Sequence, residues 1–204
     1  MPQGLIVPMF EEGYGVEQNL VDPEFATALL GELKANQMYN EGGARLGREP
    51  GVHHEPDILS KIGGMPLLAE YRNGLNDAIT EVSGFEHPHL TYLTTRVCPV
   101  REMSSNIHRN DKKAGPWLVT LTVEGDGSIN VYDDEVIDKG QEIKLAGDDT
   151  DPVPLITSPM TVGDAWGAYS GLWTAPHAGG LNMSKDPKVL ILLYGWCARS
   201  RYPI

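Results

Sequence analysis

The chain predicts an α+β fold, in which a mainly helical support region, residues 1–88, packs on an antiparallel sandwich or barrel formed by residues 89–204. Three observations predict it. Apolar residues in the first half recur at helical spacing. From residue 89 the pattern switches to short β-forming runs separated by turns. The 204 residues, 41% hydrophobic and 22% charged, suit a single domain able to bury a sizeable core.

Residues 1–21 read as a short strand and loop. Val21-Asp22-Pro23-Glu24 starts a helix: Asp22 can cap, Pro23 suits the first turn, and Glu24 complements the helix dipole. Phe25, Leu29, Leu30 and Leu33 continue it at helical spacing. Residues 40–56 read as a loop, given Glu41-Gly42-Gly43 and Arg48-Glu49-Pro50-Gly51. A loop of that length suits a lid or substrate-recognition segment as well as a plain surface connection. A second helical region spans 57–83, with Leu67, Leu68, Tyr71, Leu75, Ala78, Ile79 and Val82 on one face and a break at Gly63-Gly64-Met65-Pro66.

The β-rich half begins with Leu90–Val97. Trp117–Val123 and Ser128–Tyr132 follow, and Gly125-Asp126-Gly127 between them predicts a hairpin turn. Residues 133–154 form an acidic, turn-rich excursion with a small strand near Glu142–Leu145. Strands are then expected around Ile156–Val162, at Ala165–Tyr169, and at 188–196.

Charge narrows the partners. A formal net charge of −12 repels a phosphate backbone, so nucleic acid is disfavoured. No apolar run approaches the roughly 18–20 residues that span a bilayer. Met1–Pro8 lacks the basic region and long apolar stretch of a secretory signal, so a cytoplasmic setting is expected. Cys98 and Cys197 stand in unrelated contexts and read as reduced core residues.

The chemistry concentrates on two histidines. One lies in Ser105-Asn106-Ile107-His108-Arg109-Asn110-Asp111, the other in Trp173-Thr174-Ala175-Pro176-His177-Ala178-Gly179-Gly180. Eleven residues after His177, Lys188 opens the apolar run Val189–Tyr194. Two imidazoles and a carboxylate bind non-haem Fe(II) while leaving metal positions open for oxygen and a co-substrate. Barrel strands present alternate side chains inward, so histidines on distant strands can converge at the mouth. The expected metal set is His108, Asp111 and His177, with Asn110 as the alternative to Asp111. Aspartate brings the charge that asparagine lacks, and a bulge or turn after His108 would swing Asp111 inward.

Other polar groups read more plainly. In His53-His54-Glu55 adjacent side chains point apart, and His87-Pro88-His89 lacks a third ligand. Asp148-Asp149-Thr150-Asp151 lacks the glycine and distal glutamate of a calcium loop and reads as a solvated turn. Trp166, Trp173 and Trp196 are core or cleft-lining aromatics, and Trp173, near His177, is best placed to touch substrate.

Taken together, residues 20–196 resemble the Fe(II)/2-oxoglutarate-dependent dioxygenases, most closely the prolyl-4-hydroxylase-like branch. The resemblance rests on a helical N-terminal region, the strand Tyr92–Val100 leading to Ile107-His108, the Gly163-Asp164-Ala165 phrase, His177 and Lys188. It implies a double-stranded β-helix core of the jelly-roll or cupin-like kind. It implies Fe(II) on His108 and His177, and Lys188 pairing with the C5 carboxylate of 2-oxoglutarate. Tyr92 and Arg96, on the strand before the metal motif, are candidates for contacts to the co-substrate or the metal ligands. The implied reaction yields succinate, carbon dioxide and an iron(IV)-oxo species that hydroxylates an amino-acid or peptidyl substrate.

The departure is at Asn110, which occupies the family's usual carboxylate position. If Asn110 takes that place, iron affinity falls and the chain is a non-catalytic member; if Asp111 serves, the chemistry survives. Competing readings are a nucleic-acid base dioxygenase, a cupin-like binding module without turnover, and a metal-dependent isomerase or hydrolase on the same barrel.

Overall fold

Capping and burial set the helices. A computed structural model describes residues 3–36, 52–54, 64–84, 89–98, 106–109, 117–125, 127–138, 141–146, 148–169, 177–180 and 190–198. Helix α2 (Pro23–Ala35) starts as its sequence predicts: the Asp22 carboxylate accepts the Glu24 N–H at 2.7 Å. Ala26, Leu29, Leu30 and Leu33 form its buried stripe. Helix α3 (Pro66–Ser83) has no side-chain cap of its own. Glu32 of α2 replaces it, accepting the N–H groups of Leu67 and Leu68 at 3.1 and 2.9 Å. A carboxylate at that end also suits the helix dipole. Leu68, Tyr71, Leu75, Ala78 and Ile79 are buried, and α3 ends at Gly84 with φ +68°.

The first segment differs from expectation. Residues Gln3–Glu12 form a helix, α1, rather than a strand and loop. Pro8 withholds one N–H there, which weakens the local helical signal. Packing overrides it: Leu5, Ile6 and Met9 are fully buried, and the Leu5 N–H donates to Glu17 Oε2 at 2.9 Å.

The strands are β1 (Tyr14–Glu17), β2 (Val52–His54), β3 (His89–Cys98), β4 (Asn106–Ile107), β5 (Trp117–Glu124), β6 (Gly127–Val131), β7 (Ile143–Lys144), β8 (Ile156–Met160), β9 (Ala165–Tyr169), β10 (His177–Gly180) and β11 (Leu190–Ala198). They form a six-stranded sheet in the order β1-β9-β5-β11-β3-β2, a three-stranded sheet β10-β6-β8, and the pair β4-β7. All the described pairings are antiparallel. The expected α+β architecture is therefore observed, with two qualifications. The N-terminal part supplies both edge strands of the large sheet, and His53 and His54 lie on one of them rather than in a loop. The turn at 125–127 is not a hairpin. Strand β5 already has β9 and β11 on its two edges, so the chain turns at Gly125, φ +81°, and passes into the other sheet as β6.

Strand alternation divides β5 into two faces. Val119, Leu121 and Val123 join the core formed by α1, α2, α3 and Ala165. On the neighbouring strand, Trp166 and Ala168 join Ile129, Val131 and Met160 of the small sheet, so an apolar cluster lies between the sheets. A third cluster, Ile107, Tyr132 and Ile137, backs β4.

The Gly163-Asp164 phrase ties these parts together. Gly163 has φ +96°, and a Cβ there would run into the Val21 carbonyl oxygen. Its own carbonyl accepts the Val21 N–H, and its N–H donates to Thr122 O. The buried Asp164 carboxylate accepts the Asn19 N–H at 2.8 Å and the Thr161 N–H and hydroxyl at 2.6 and 2.9 Å. The pair thus fastens the segment before α2 to the β5 edge. Among the described residues, no helix is long and apolar enough to cross a membrane.

Candidate functional site

The inward face of the large sheet can be read row by row from its register. Thr120 pairs with Trp166 on one side and Tyr194 on the other, and Tyr194 pairs with Thr94. Thr122 pairs with Leu192, which pairs with Arg96. Leu118 pairs with Trp196, which pairs with Tyr92, and Tyr92 in turn pairs with His54. Positions directly opposite share a face. Trp166 belongs to the inter-sheet cluster, so these rows belong to the face turned toward the small sheet. Tyr92 and Arg96, the two candidates on β3, occupy register positions on that face.

The histidine strands approach from the other side. Strand β10 opens at His177, paired with Val131 of β6. Val131 belongs to the inter-sheet cluster, so position 177 falls on the inward face of the small sheet. Strand β10 also lies against β4, which leads directly into His108. His108 is half-buried, next to the fully buried Ile107. The backbone thus brings β4, which ends one residue before His108, against β10, the edge strand of the small sheet that opens at His177. Asn110, Asp111, Trp173 and Lys188 lie outside the described residues, and His177 is described by its backbone. Among the described residues, no group of three His, Cys, Asp or Glu is assembled to hold a metal.

Arg109 holds the excursion beside this edge. Its Nε and Nη2 donate to Ile137 O at 3.2 Å each, and Nη1 donates to Asp134 Oδ1 at 3.0 Å. Nη2 also reaches the Asp134 carbonyl. The Arg109 side chain is 8% exposed and that of Asp134 80%, so the ion pair is weak and the carbonyl bonds carry the attachment. Tyr132, buried under the same segment, has its phenol pKa raised chiefly by burial, against a lowering hydrogen bond from Asn130. The run at 148–151 is a turn, as expected: Asp148 accepts the Thr150 N–H and hydroxyl at 2.9 and 2.6 Å, and Asp151 accepts the Ala146 N–H.

Sequence reasoning passed over two residues of the inward face. Thr120 and Thr122 are fully buried, and neither hydroxyl has a hydrogen-bond partner among the described residues. A buried hydroxyl left unpaired costs on the order of 1–3 kcal/mol. The signal was present in Val119-Thr120-Leu121-Thr122-Val123, but strict alternation around a strand ordinarily marks a solvent face, and here it marks an enclosed one.

No family model and no curated protein matches this chain. Solved structures do. A Pseudomonas putida prolyl-4-hydroxylase superposes with a TM-score of 0.55 at 14% identity, covering 98% of this chain and 100% of its own. A Trichoplax adhaerens prolyl hydroxylase, solved with a hypoxia inducible factor peptide fragment, gives 0.55 at 12% identity over 97% and 89%. The carbocyclase SnoK of nogalamycin biosynthesis, a non-haem α-ketoglutarate-dependent enzyme, gives 0.55 at 11% over 93% and 82%. The chain therefore has the fold shared by prolyl-4-hydroxylases and other non-haem 2-oxoglutarate-dependent oxygenases.

Proposed function

We propose that this chain is an Fe(II)- and 2-oxoglutarate-dependent oxygenase that hydroxylates an amino-acid or peptidyl substrate. The observation that supports the reading is the approach of β4, the strand just before His108, to β10, which opens at His177. The shared fold supports the class, and the peptide bound to the Trichoplax enzyme supports the choice of substrate. On this reading the two sheets and the β4-β7 pair close as a double-stranded β-helix within a single domain.

The residues fit the cofactors. Two unpaired, fully buried hydroxyls on the inward face suit a small polar co-substrate better than an apolar one. The proposed metal ligands are His108, His177 and Asp111, with Asn110 in competition for the third place. Bound iron and 2-oxoglutarate supply the oxidising chemistry: decarboxylation of the oxo acid activates oxygen for insertion into a substrate C–H bond. The chain supplies the rest. His108 is held by its buried neighbour Ile107 and by the Arg109 attachment, which limits its motion. Trp166 and the inter-sheet apolar cluster exclude water from one wall. Lys188, Tyr92 and Arg96 orient the co-substrate, and Trp173 touches the substrate.

Succinate release from 2-oxoglutarate tests the reading. Purified protein with Fe(II), ascorbate and a proline-containing peptide library should form succinate, and His108→Ala or His177→Ala should abolish it. Folded wild type that binds Fe(II) and 2-oxoglutarate but never forms succinate would identify a binding module. Salt-sensitive binding of DNA or RNA, with base oxidation, would move the substrate to nucleic acid.

A further inference from the structure

We propose that Arg109 is a positioning residue for the metal site: it clamps the turn at 134–137 on one side of the chain and thereby fixes the direction of His108 on the other. The inference rests on the function proposed above and extends it to the start of the acidic excursion. Alternation separates the two sides. Ile107 packs with Tyr132 and Ile137 beneath the excursion. Arg109, two positions further, reaches Ile137 as well, donating twice to its carbonyl. His108, between them, lies in a β-bridge and is extended. Positions i and i+2 of extended chain share a face, so Ile107 and Arg109 turn toward the excursion and His108 turns away from it.

The clamp is more than a surface contact. The Arg109 side chain is 8% exposed, and arginine is almost never buried unless its donors are matched. Here they converge on two backbone carbonyls: Nε and Nη2 on Ile137 O, and Nη2 on Asp134 O as well. One planar fork spans both, which the single ammonium of lysine does not reproduce. The turn that receives it is itself fixed. Asp133 Oδ1 accepts the Glu135 N–H at 2.9 Å, the Asp133 carbonyl accepts the Val136 N–H at 3.1 Å, and Ile137 is buried. Packing gives no reason for a guanidinium here, because Ile107, Tyr132 and Ile137 already close the cluster with apolar surface. A metal ligand does. Its geometry has to be held within about 0.5 Å by neighbours whose own positions are locked. Buried Ile107 on one side of His108 and clamped Arg109 on the other hold the backbone at both ends of that residue.

Calorimetric titration of the metal-free protein with Co(II), followed in parallel by visible absorption, tests the clamp. The chains compared are wild type, Arg109→Met, Arg109→Lys and Leu145→Ala. We expect Arg109→Met to lose about tenfold in Co(II) affinity and to shift the absorption bands, as when a group supporting a metal-bound histidine is removed. Arg109→Lys keeps the charge but not the fork and should show a smaller loss. Leu145 packs on the same cluster without touching the clamp. Leu145→Ala should melt lower yet keep wild-type affinity and bands, which separates positioning from general loosening. Wild-type affinity and bands in folded Arg109→Met overturn the clamp and leave the oxygenase reading standing. If Arg109→Met does not fold, the same result in Arg109→Lys overturns it. An equal loss in Leu145→Ala also overturns it. Wild type that binds no Co(II) overturns both.

Discussion

The two faces of β5 are equally buried but differ in what they bury. One face, Val119, Leu121 and Val123, is apolar and belongs to the core that the three helices share. The other carries Thr120 and Thr122, equally buried and yet without hydrogen-bond partners for their hydroxyls among the described residues. Burial is the same on both sides; the chemistry of what is buried is not. A face that only stabilises fills itself with hydrocarbon, as burial favours. A face that leaves polar atoms unpaired gives up stability.

Substitutions can sharpen or break this contrast. The largest effect is expected from Leu121→Ala, which empties the helix side: about 2–5 kcal/mol of unfolding free energy lost, read by urea denaturation. Thr122→Val, one position away, should have the opposite sign and gain about 1 kcal/mol or less. If both lose stability alike, the two faces do not differ as described. Asp164→Ala removes the acceptor for two N–H groups and a hydroxyl. It should cost about 2–3 kcal/mol and expose the Asn19 amide to hydrogen exchange. Glu32→Ala uncaps α3 and should cost about 1 kcal/mol, seen as faster exchange at Leu67 and Leu68.

A smaller effect concerns alkali. Burial raises the Tyr132 phenol pKa, so the folded chain holds that proton more tightly than the unfolded chain. The associated stability is present below about pH 10 and is lost as pH rises through the folded pKa. Tyr132→Phe should flatten this alkaline loss. At the bottom of the scale, Val153, 84% exposed, should tolerate serine with a change within about 0.5 kcal/mol.

Much of this was legible in the chain. Asp22-Pro23-Glu24 announced α2 because the cap is a local interaction, complete within three residues. The strands were legible because β-branched and aromatic residues cluster in them. Helix α1 was not, because Pro8 suppresses the local signal and burial of Leu5, Ile6 and Met9 is decided by the rest of the fold. The crossing at Gly125 read as a hairpin because a turn motif does not record which strands its neighbours pair with. The histidines stand out in the sequence as residues, while the approach of β4 to β10 is something sequence spacing alone does not reveal. The threonine pair was hidden for a similar reason. Alternation around β5 resembles a half-solvated strand, and only the second sheet reveals that both faces are covered.

The most direct measurement is anaerobic titration of the metal-free protein with Fe(II) and 2-oxoglutarate, followed by visible absorption. His108→Ala, His177→Ala, Asn110→Ala and Asp111→Ala are titrated alongside wild type. The account predicts a weak charge-transfer band in wild type that is lost in both histidine variants and in one of the other two, which identifies the third ligand. Folded wild type with no band, or a band that survives loss of either histidine, would contradict the proposed site.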